Sequence, residues 1–579
     1  MTSARIHVAA DAVIHFLSQM GINSLHNYPG GTIAPLLDAC CRFGIRVYTS
    51  RHEQGAGYAA LAQAKLTGLP GIVAVTSGPG VTNVLTPVAD AFFDSIPLLV
   101  FTGQVGSSDL TADKPVRQSG FQEVNTPALM KPITKAQFQP KTVAELVDVL
   151  PQAWQIACEG RMGPVSLDLP MDVQRAAFED TIEPIAISAR TDTSNEKFID
   201  DLLEAIKTAK QPVIICGNGM ATGEHARLLS SIRSYWPAPV SHSLLGVGTL
   251  DSEDPGSLGF HGHTGSQLAG KAIADADLLL VLGSRLDVRQ TGTLTTEFAK
   301  QARIFRVDFD ANELEYSRIA YHHGLCSELT PVLQALQQAL PGKQIADLAT
   351  WQEKIANWRQ TLGWPYPTYP GAAPKAVVEY LSETLPQETI VTTGVGAHQH
   401  WVARHFRFAL PQRRLMTSAG HGTMGYDLPT AIGAAIHSPQ STVLCVAGDG
   451  SLQMNIQELG MISELGLKVK ILVLDNHRLG LVSQFQLMNW ETDTACGNKH
   501  SPDFATIAKG YGIKAIHCGV DDDVQAALKA FIAFDGPVLL HLEIDPRHDV
   551  VPMLLGGQPT HKMWPYFDAQ GNPKEIDND

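Results

Sequence analysis

Asp449, in the run Gly448-Asp449-Gly450-Ser451, and Asn476, directly after Asp475, stand 476 − 449 = 27 positions apart. The hydrophobic pattern between them predicts a helix over 452–465 and a strand over 468–474. That arrangement brings two strand ends together, so that a carboxylate and a carboxamide can share one cation. A hard divalent ion such as Mg²⁺ takes oxygen ligands and keeps positions open for phosphate oxygens. Two ordinary strand-end turns would read the same way, since Gly-Asp-Gly is common in loops. Further glycine turns fall at expected strand ends: Tyr28-Pro29-Gly30-Gly31, Thr76-Ser77-Gly78-Pro79-Gly80, Gly394-Val395-Gly396, and the stretch 420–425. Glycine permits positive φ and lets backbone N–H groups approach a phosphate. Each turn alone is weak evidence; their number and order are strong.

The elements that must position these turns alternate. Helices are predicted over 9–20, 33–43, 53–67, 81–94 and 143–159, with apolar strands over 24–26, 45–49, 71–76, 98–102 and 165–168. Strands at 212–216, 278–282 and 303–307 repeat the pattern, as do strands at 389–392, 442–447, 469–474 and 538–543. Short apolar strands alternating with helices predict parallel sheets covered on both faces. The expected fold class is therefore α/β, with three doubly wound parallel-sheet domains. Their expected bounds are 1–180, 195–345 and 370–555, followed by a tail over 556–579. Residues 190–195 are expected as a linker, 364–369 as a connecting segment, 431–436 as a closely packing small-residue helix, and the tail as a surface wrap or lid.

Composition narrows the class. At 579 residues the chain exceeds one core, so two to four domains are expected. With 44% hydrophobic and 17% charged residues it reads as a soluble globular enzyme. No apolar run reaches the roughly 18 residues of a membrane span, and the first ten residues lack a signal pattern. A net charge of −15 without a Lys/Arg cluster argues against a nucleic-acid partner. Eight scattered cysteines without a CxxC pair fit reduced thiols and a cytoplasmic location.

Longer motifs carry a resemblance. Arg51-His52-Glu53-Gln54-Gly55, TSGPGVTN at 76–83, Phe121-Gln122-Glu123, GPVSLDLP at 163–170, GSRLDVRQTG at 283–292, GVGAHQHW at 394–401, AGHGTMGYDLP at 419–429 and GDGSLQMNIQEL at 448–459 follow in order. Across about residues 6–555 the chain resembles the thiamine diphosphate (ThDP)-dependent acetolactate synthase family. The resemblance implies a pyrimidine-binding first domain, a central domain and a diphosphate-binding third domain. It implies Asp449, Asn476 and the Arg478 carbonyl as Mg²⁺ ligands. Gly30, Thr76, Gly396, His398, Gln399, Gly422, Met424, Gly448, Gly450 and Ser451 are then ThDP contacts, with Met424 bending the cofactor. Glu53 matches the carboxyl that bonds N1′ of the aminopyrimidine and shifts that ring toward its imino tautomer. Gln122 matches a side chain near the reacting centre, supplied in the family by the neighbouring subunit. Glu53 and the metal site likewise come from different subunits, which implies a homodimer or homotetramer. Gly217, Gly219, Leu245, His261, Arg285 and Asp308 resemble segments that hold FAD in a structural role; a degenerate domain without flavin is the alternative.

Departures from the family cluster on the acceptor side. Met171 stands where Lys is usual, Phe485 where Trp is usual, Ser483 for Met, Asp427 for Gly, Asn27 for Gly, and His421 and Thr423 for apolar or small residues. Phe121, Met171, Arg289, Asp427 and Phe485 are expected around the substrate, with His421 either a proton donor or a hydrogen-bonded loop histidine. The reading these departures favour is a decarboxylating carboligase that takes pyruvate as donor. A resemblance to the yersiniose-type branched-sugar carboligases implies that the two-carbon acyl-anion unit would go to a ketone such as a keto-deoxysugar nucleotide. The alternative is an acetolactate synthase condensing two 2-oxo acids. Further alternatives are a 2-oxo acid decarboxylase, a hydrolase of cyclic diones, an oxidase, or a non-catalytic cofactor-binding protein.

Overall fold

The computed structural model describes residues 5–111, 114–186, 196–362, 368–498 and 500–565. The expected linker at 190–195, most of the 364–369 segment and the end of the tail lie outside these residues.

Three six-stranded sheets form, and every strand pair in them is parallel. The first contains β1 (Ser24–Asn27), β2 (Arg46–Thr49), β3 (Gly71–Val75), β4 (Leu98–Gln104), β5 (Ala136–Phe138) and β6 (Pro164–Pro170). The second contains β7 (Pro212–Cys216), β8 (Val240–His242), β9 (Ser257–Phe260), β10 (Leu278–Leu282), β11 (Arg303–Asp308) and β12 (His323–Cys326). The third contains β13 (Thr389–Thr393), β14 (Arg414–Thr417), β15 (Thr442–Gly448), β16 (Val469–Asp475), β17 (Lys514–Cys518) and β18 (Val538–Glu543). Central strands such as β4, β7 and β10 are buried along their whole length, because helices cover both faces and Val, Ile and Leu fill them.

Strand order decides where ligands can sit. The first sheet runs β2-β1-β3-β4-β6-β5 and the third runs β14-β13-β15-β16-β18-β17, which is one topology used twice. The order reverses between β1 and β3 and between β13 and β15. The central sheet runs β12-β11-β10-β7-β8-β9, the 3-2-1-4-5-6 order of dinucleotide-binding sheets, and reverses between β7 and β10. Crevices open outside the carboxyl ends of strands at such reversals. The glycine turns leave these same strands.

The first and third units share a core. Ala56 and Ala60 of the helix Glu53–Thr67 pack with Ala431 and Ile432 of the helix Asp427–His437. The expected small-residue helix thus packs backbone to backbone. A Cβ at Gly433 would lie 2.4 Å from the Ala59 carbonyl oxygen, so only glycine fits. Tyr58 and Tyr426 meet edge to face, 5.1 Å between centroids, and the Tyr58 hydroxyl donates to Asp90.

One expectation is corrected. The single helix over 452–465 is three pieces: Asp449–Met454, a 3₁₀ turn Ile456–Glu458, and Leu459–Leu465. Asn455 interrupts it at φ −137°, because its carboxamide donates to the Gly425 carbonyl and the Gln54 side chain instead. The chain leading into the tail wraps against the central unit. β19 (Met553–Leu554) and β20 (Met563–Trp564) pair antiparallel, and Leu554 N donates to His263 O of the central unit. All eight cysteines are free thiols. Among the described residues no helix is long and apolar enough to cross a membrane.

Candidate active site

The β15–β16 register pairs Gly448 with Leu474, so Asp449 and Asn476 leave neighbouring strand ends. Both are buried. Asp449 Oδ2 accepts from the neutral donor Asn498 Nδ2 at 3.1 Å, and Ser501 Oγ stands 3.4 Å away. Burial, followed by the charge of Asp475, raises the Asp449 carboxyl to about 6. Asp475 is buried too, yet hydrogen bonds from His541 and the His477 backbone, with the charge of both rings, hold it below the usual carboxylate range. Asp475 is therefore already compensated, whereas Asp449 is a carboxylate that a cation would satisfy. Asn476 Oδ1 accepts from Arg478 N, and the Arg478 side chain turns away to Ser483 and Asp549. These donors fit a hard divalent ion.

Above this pair the β13 and β15 turns interlock. A Cβ at Gly394 would lie 2.2 Å from Ser451 Oγ, and one at Gly396 would lie 2.7 Å from the His398 ring. Gly448 also faces that ring, where a Cβ would lie 3.0 Å from Nδ1. His398 Nε2 is buried without a hydrogen-bond partner, and burial lowers the ring to about 3. An orphaned buried nitrogen beside two glycine turns fits a polar ligand. Met424 sits over Gly450, whose Cβ would be 3.1 Å from its Cε.

Two expected roles change here. Both Gln399 donor bonds go to Thr417 Oγ1 at 2.7 Å and Ser418 O at 2.8 Å. Only its acceptor oxygen is left, which suits no phosphate. Gln399 anchors its helix, Ala397–His405, to the end of β14 rather than reaching toward a diphosphate. Asp427, expected in the substrate pocket, is fully buried under the cradle. It accepts from Ser451 Oγ at 2.5 Å and Gly394 N at 3.3 Å, and burial raises it to about 6.

The other half-site lies at the β1/β3 reversal. Glu53 opens the helix Glu53–Thr67, is buried, and accepts from Asn83 Nδ2 at 3.0 Å. Gly30 packs on Thr76, where a Cβ would meet that side chain at 2.4 Å. Gln122 holds φ +63° and presses on Gly78, where a Cβ would lie 2.9 Å from its carbonyl oxygen. A non-glycine residue at that φ is strained, and such strain persists where surrounding structure enforces it. The sequence reading passed over Glu458. Its carboxylate comes from the third unit and accepts Arg51 N with both oxygens, at 2.9 and 3.1 Å, bracing the helix that presents Glu53. Burial outweighs those bonds and raises it to about 7. The signal was present in the GDGSLQMNIQEL motif, but only the fold shows its partner.

The remaining expected substrate residues do not gather within one chain. Phe121 and Phe485 are exposed at 84% and 50%, Met171 is half-buried at the end of β6, and Arg289 lines a separate cavity. His421 is exposed and stacks on Phe93, 5.6 Å between centroids. Gly422 lies beside it with φ +77°.

That separate cavity measures about 1140 Å³ and opens at the β7/β10 reversal. A Cβ at Gly217 would sit 2.0 Å from Gly283 O, so glycine alone lets these two turns meet. Gly219, Leu245, His261, Arg285 and Asp308 line the space. His261 Nδ1 pairs with Ser241 at 3.0 Å, and Asp308, at the end of β11, is raised by burial.

Comparison with known proteins agrees with this geometry. Residues 7–129, 199–336 and 394–542 match the N-terminal TPP binding, central, and C-terminal TPP binding domains of thiamine pyrophosphate enzymes. The chain is 37% identical over 558 residues to the acetolactate synthase isozyme 2 large subunit of Escherichia coli (strain K12), covering 96% of this chain and 98% of that one. It is 34% identical over 572 residues to the acetolactate synthase large subunit of Lactococcus lactis subsp. lactis (strain IL1403), covering 98% and 97%. With the mitochondrial acetolactate synthase catalytic subunit of Saccharomyces cerevisiae the identity is 35% over 571 residues, covering 93% and 81%.

The chain belongs to the ThDP-dependent acetolactate synthase family. It is accordingly an enzyme of the carboligating type, with both ThDP-binding domains present. Its first and third sheets lie in the N-terminal and C-terminal TPP binding domains.

Proposed function

We propose that the enzyme decarboxylates pyruvate and joins the two-carbon unit to a second 2-oxo acid, as an acetolactate synthase. The observation that carries this reading is the placement of Asp449 and Asn476 at the neighbouring ends of β15 and β16, in a chain whose relatives carry that name over nearly their full length. Asp449, Asn476 and the Arg478 carbonyl would hold Mg²⁺, with the Gly394–Gly396 and Gly448–Gly450 turns and His398 around the diphosphate. When bound, ThDP supplies an electron sink for the carbon–carbon bond that breaks and a nucleophilic carbon for the one that forms.

The chain's own residues do the rest. Asn83 fixes Glu53 Oε2, so the other carboxyl oxygen can hold a proton at the aminopyrimidine edge. Glu458 holds the backbone of Arg51 and so sets where Glu53 stands. Met424 covers Gly450 and would limit how far the cofactor can extend. The exposed Phe121 and Phe485 belong against a second copy of the chain, which makes a homodimer or homotetramer the working form. In the central unit the cavity fits FAD in a structural role. Its volume slightly exceeds the range of drug-sized pockets, roughly 300–1,000 Å³, and the strand order is that of dinucleotide sheets.

A second reading keeps the same donor and takes a larger ketone, such as a keto-deoxysugar nucleotide, as acceptor. It rests on Met171, His421, Phe485 and on Ser483, whose hydroxyl is buried between Arg478 and Asp493. Asp427 no longer supports it, because that side chain serves the cradle. The experiment is incubation with pyruvate, ThDP and Mg²⁺ and mass spectrometry of the products, with and without ketone acceptors. Acetolactate as the dominant product supports the first reading; a new adduct that outcompetes it when a keto-sugar is added overturns it. Protein that is colourless and takes up no added FAD refutes the flavin.

A further inference from the structure

Beyond the cofactor site, the same sheet edge gathers a second set of ligand-type side chains. The β17–β18 register sets His517 opposite His541, and the β16–β18 register sets Asp475 opposite Glu543. His541 and Glu543 are two apart on one strand and so point to one face. One ligand atom from each of His517, His541 and Glu543 lies within 4.8 Å of the others. His517 Nε2 is 3.1 Å from Glu543 Oε1, and the two rings stand 4.9 Å apart. Zinc bonds of about 2.0 Å in a tetrahedron place neighbouring ligands roughly 3.3 Å apart, so this spacing suits one ion.

A separate observation points to a ligand. His541 is 3% exposed, and its Nδ1 has no hydrogen-bond partner. Its Nε2 is engaged with Asp475 Oδ2 at 2.9 Å. A carboxylate behind one ring nitrogen, with the other nitrogen left open, is how metal-binding histidines are oriented. Asp503 Oδ1 stands 3.9 Å from the open Nδ1. His517 is exposed and Glu543 half-buried, which gives an ion a way in.

We propose that His517, His541 and Glu543 bind a divalent transition ion of the Zn²⁺ type, with Asp503 in reach as a fourth ligand. Imidazole ligands favour such ions, whereas the oxygen-only pair Asp449 and Asn476 suits Mg²⁺, so the two sites choose different metals. They are linked through Asp475. Its Oδ1 accepts from Ser501 Oγ at 3.1 Å, and the same hydroxyl lies 3.4 Å from Asp449 Oδ2. An ion on Nδ1 fixes His541 with its proton on Nε2, toward Asp475, and so stiffens the strand end that presents Asn476.

The test uses untagged full-length protein in excess Mg²⁺, titrated with Co²⁺ as probe. The expected result is one saturable site per chain with visible d–d absorption, displaced by Zn²⁺. His517→Ala and Glu543→Gln should each weaken Co²⁺ at least tenfold, while unfolding without metal and Mg²⁺-dependent ThDP binding stay unchanged. Absence of a saturable site in the wild type overturns the proposal. So does Co²⁺ affinity that neither substitution alters.

Discussion

Replacing Glu458 with Gln isolates one buried charge at the junction of the first and third units. In the folded protein, burial raises this carboxyl from 4.5 to about 7. The folded chain therefore binds a proton more tightly than the unfolded chain does. Its contribution to stability is present below about pH 4.5 and is lost as pH rises through about 7. The difference, 7 − 4.5 = 2.5 pH units, corresponds to about 3 kcal/mol at 1.36 kcal/mol per unit. Gln keeps the shape and one acceptor oxygen for Arg51 N but carries no charge, so it does not titrate. Whatever the variant loses in hydrogen bonding is nearly the same at every pH. The stability of Glu458→Gln relative to wild type should thus rise by about 3 kcal/mol between pH 4.5 and 8. Urea unfolding of the cofactor-free protein, followed by tryptophan fluorescence across that range, measures the double difference. A flat difference, within about 0.5 kcal/mol, would show that Glu458 ionises freely and that burial does not outweigh its backbone hydrogen bonds.

Glu53→Gln should slow exchange of the bound cofactor's C2 proton by about 10²–10⁴-fold, read by hydrogen–deuterium exchange; unchanged exchange disproves its role. Gly433→Ala places a methyl 2.4 Å from the Ala59 carbonyl and should cost about 1–3 kcal/mol, seen as a lowered unfolding midpoint; an unaltered midpoint means the helices can part freely. Gly217→Ala forces apart the turns that meet at the central cavity. It should yield protein that retains no flavin while still binding ThDP, as absorbance after denaturation will show; retained flavin would contradict the placement.

Most of the fold was legible because its signals are local. Alternating apolar strands and helices place nearly all the central strands, such as β3, β4, β7, β10, β15 and β16, within a residue or two. Short strands at or next to the sheet edges escaped. β5, β8 and β14 are three or four residues long and carry too little apolar pattern to stand out. The broken helix after Asp449 escaped for another reason, since Asn455 answers to Gly425 and Gln54, which are remote in sequence. The site divided in the same way. Asp449, Asn476, Glu53 and the glycine turns are motif residues, and the fold sets them at strand-order reversals. Gln399 and Asp427 look like ligand and pocket residues in sequence, but their partners Thr417, Ser418 and Ser451 turn them into scaffold.

By itself, the sequence determined the α/β class and the order of the turns, and it singled out Asp449 and Asn476, because each depends on residue type and short spacing. Only the tertiary structure decided which carboxylates are compensated and which are left wanting a cation. Asp475 and Asp449 look alike in the chain, yet His541, brought over by a neighbouring strand 66 residues on, satisfies one and leaves the other with neutral donors alone. Strand register is a long-range choice, and it is what sets the local charge balance.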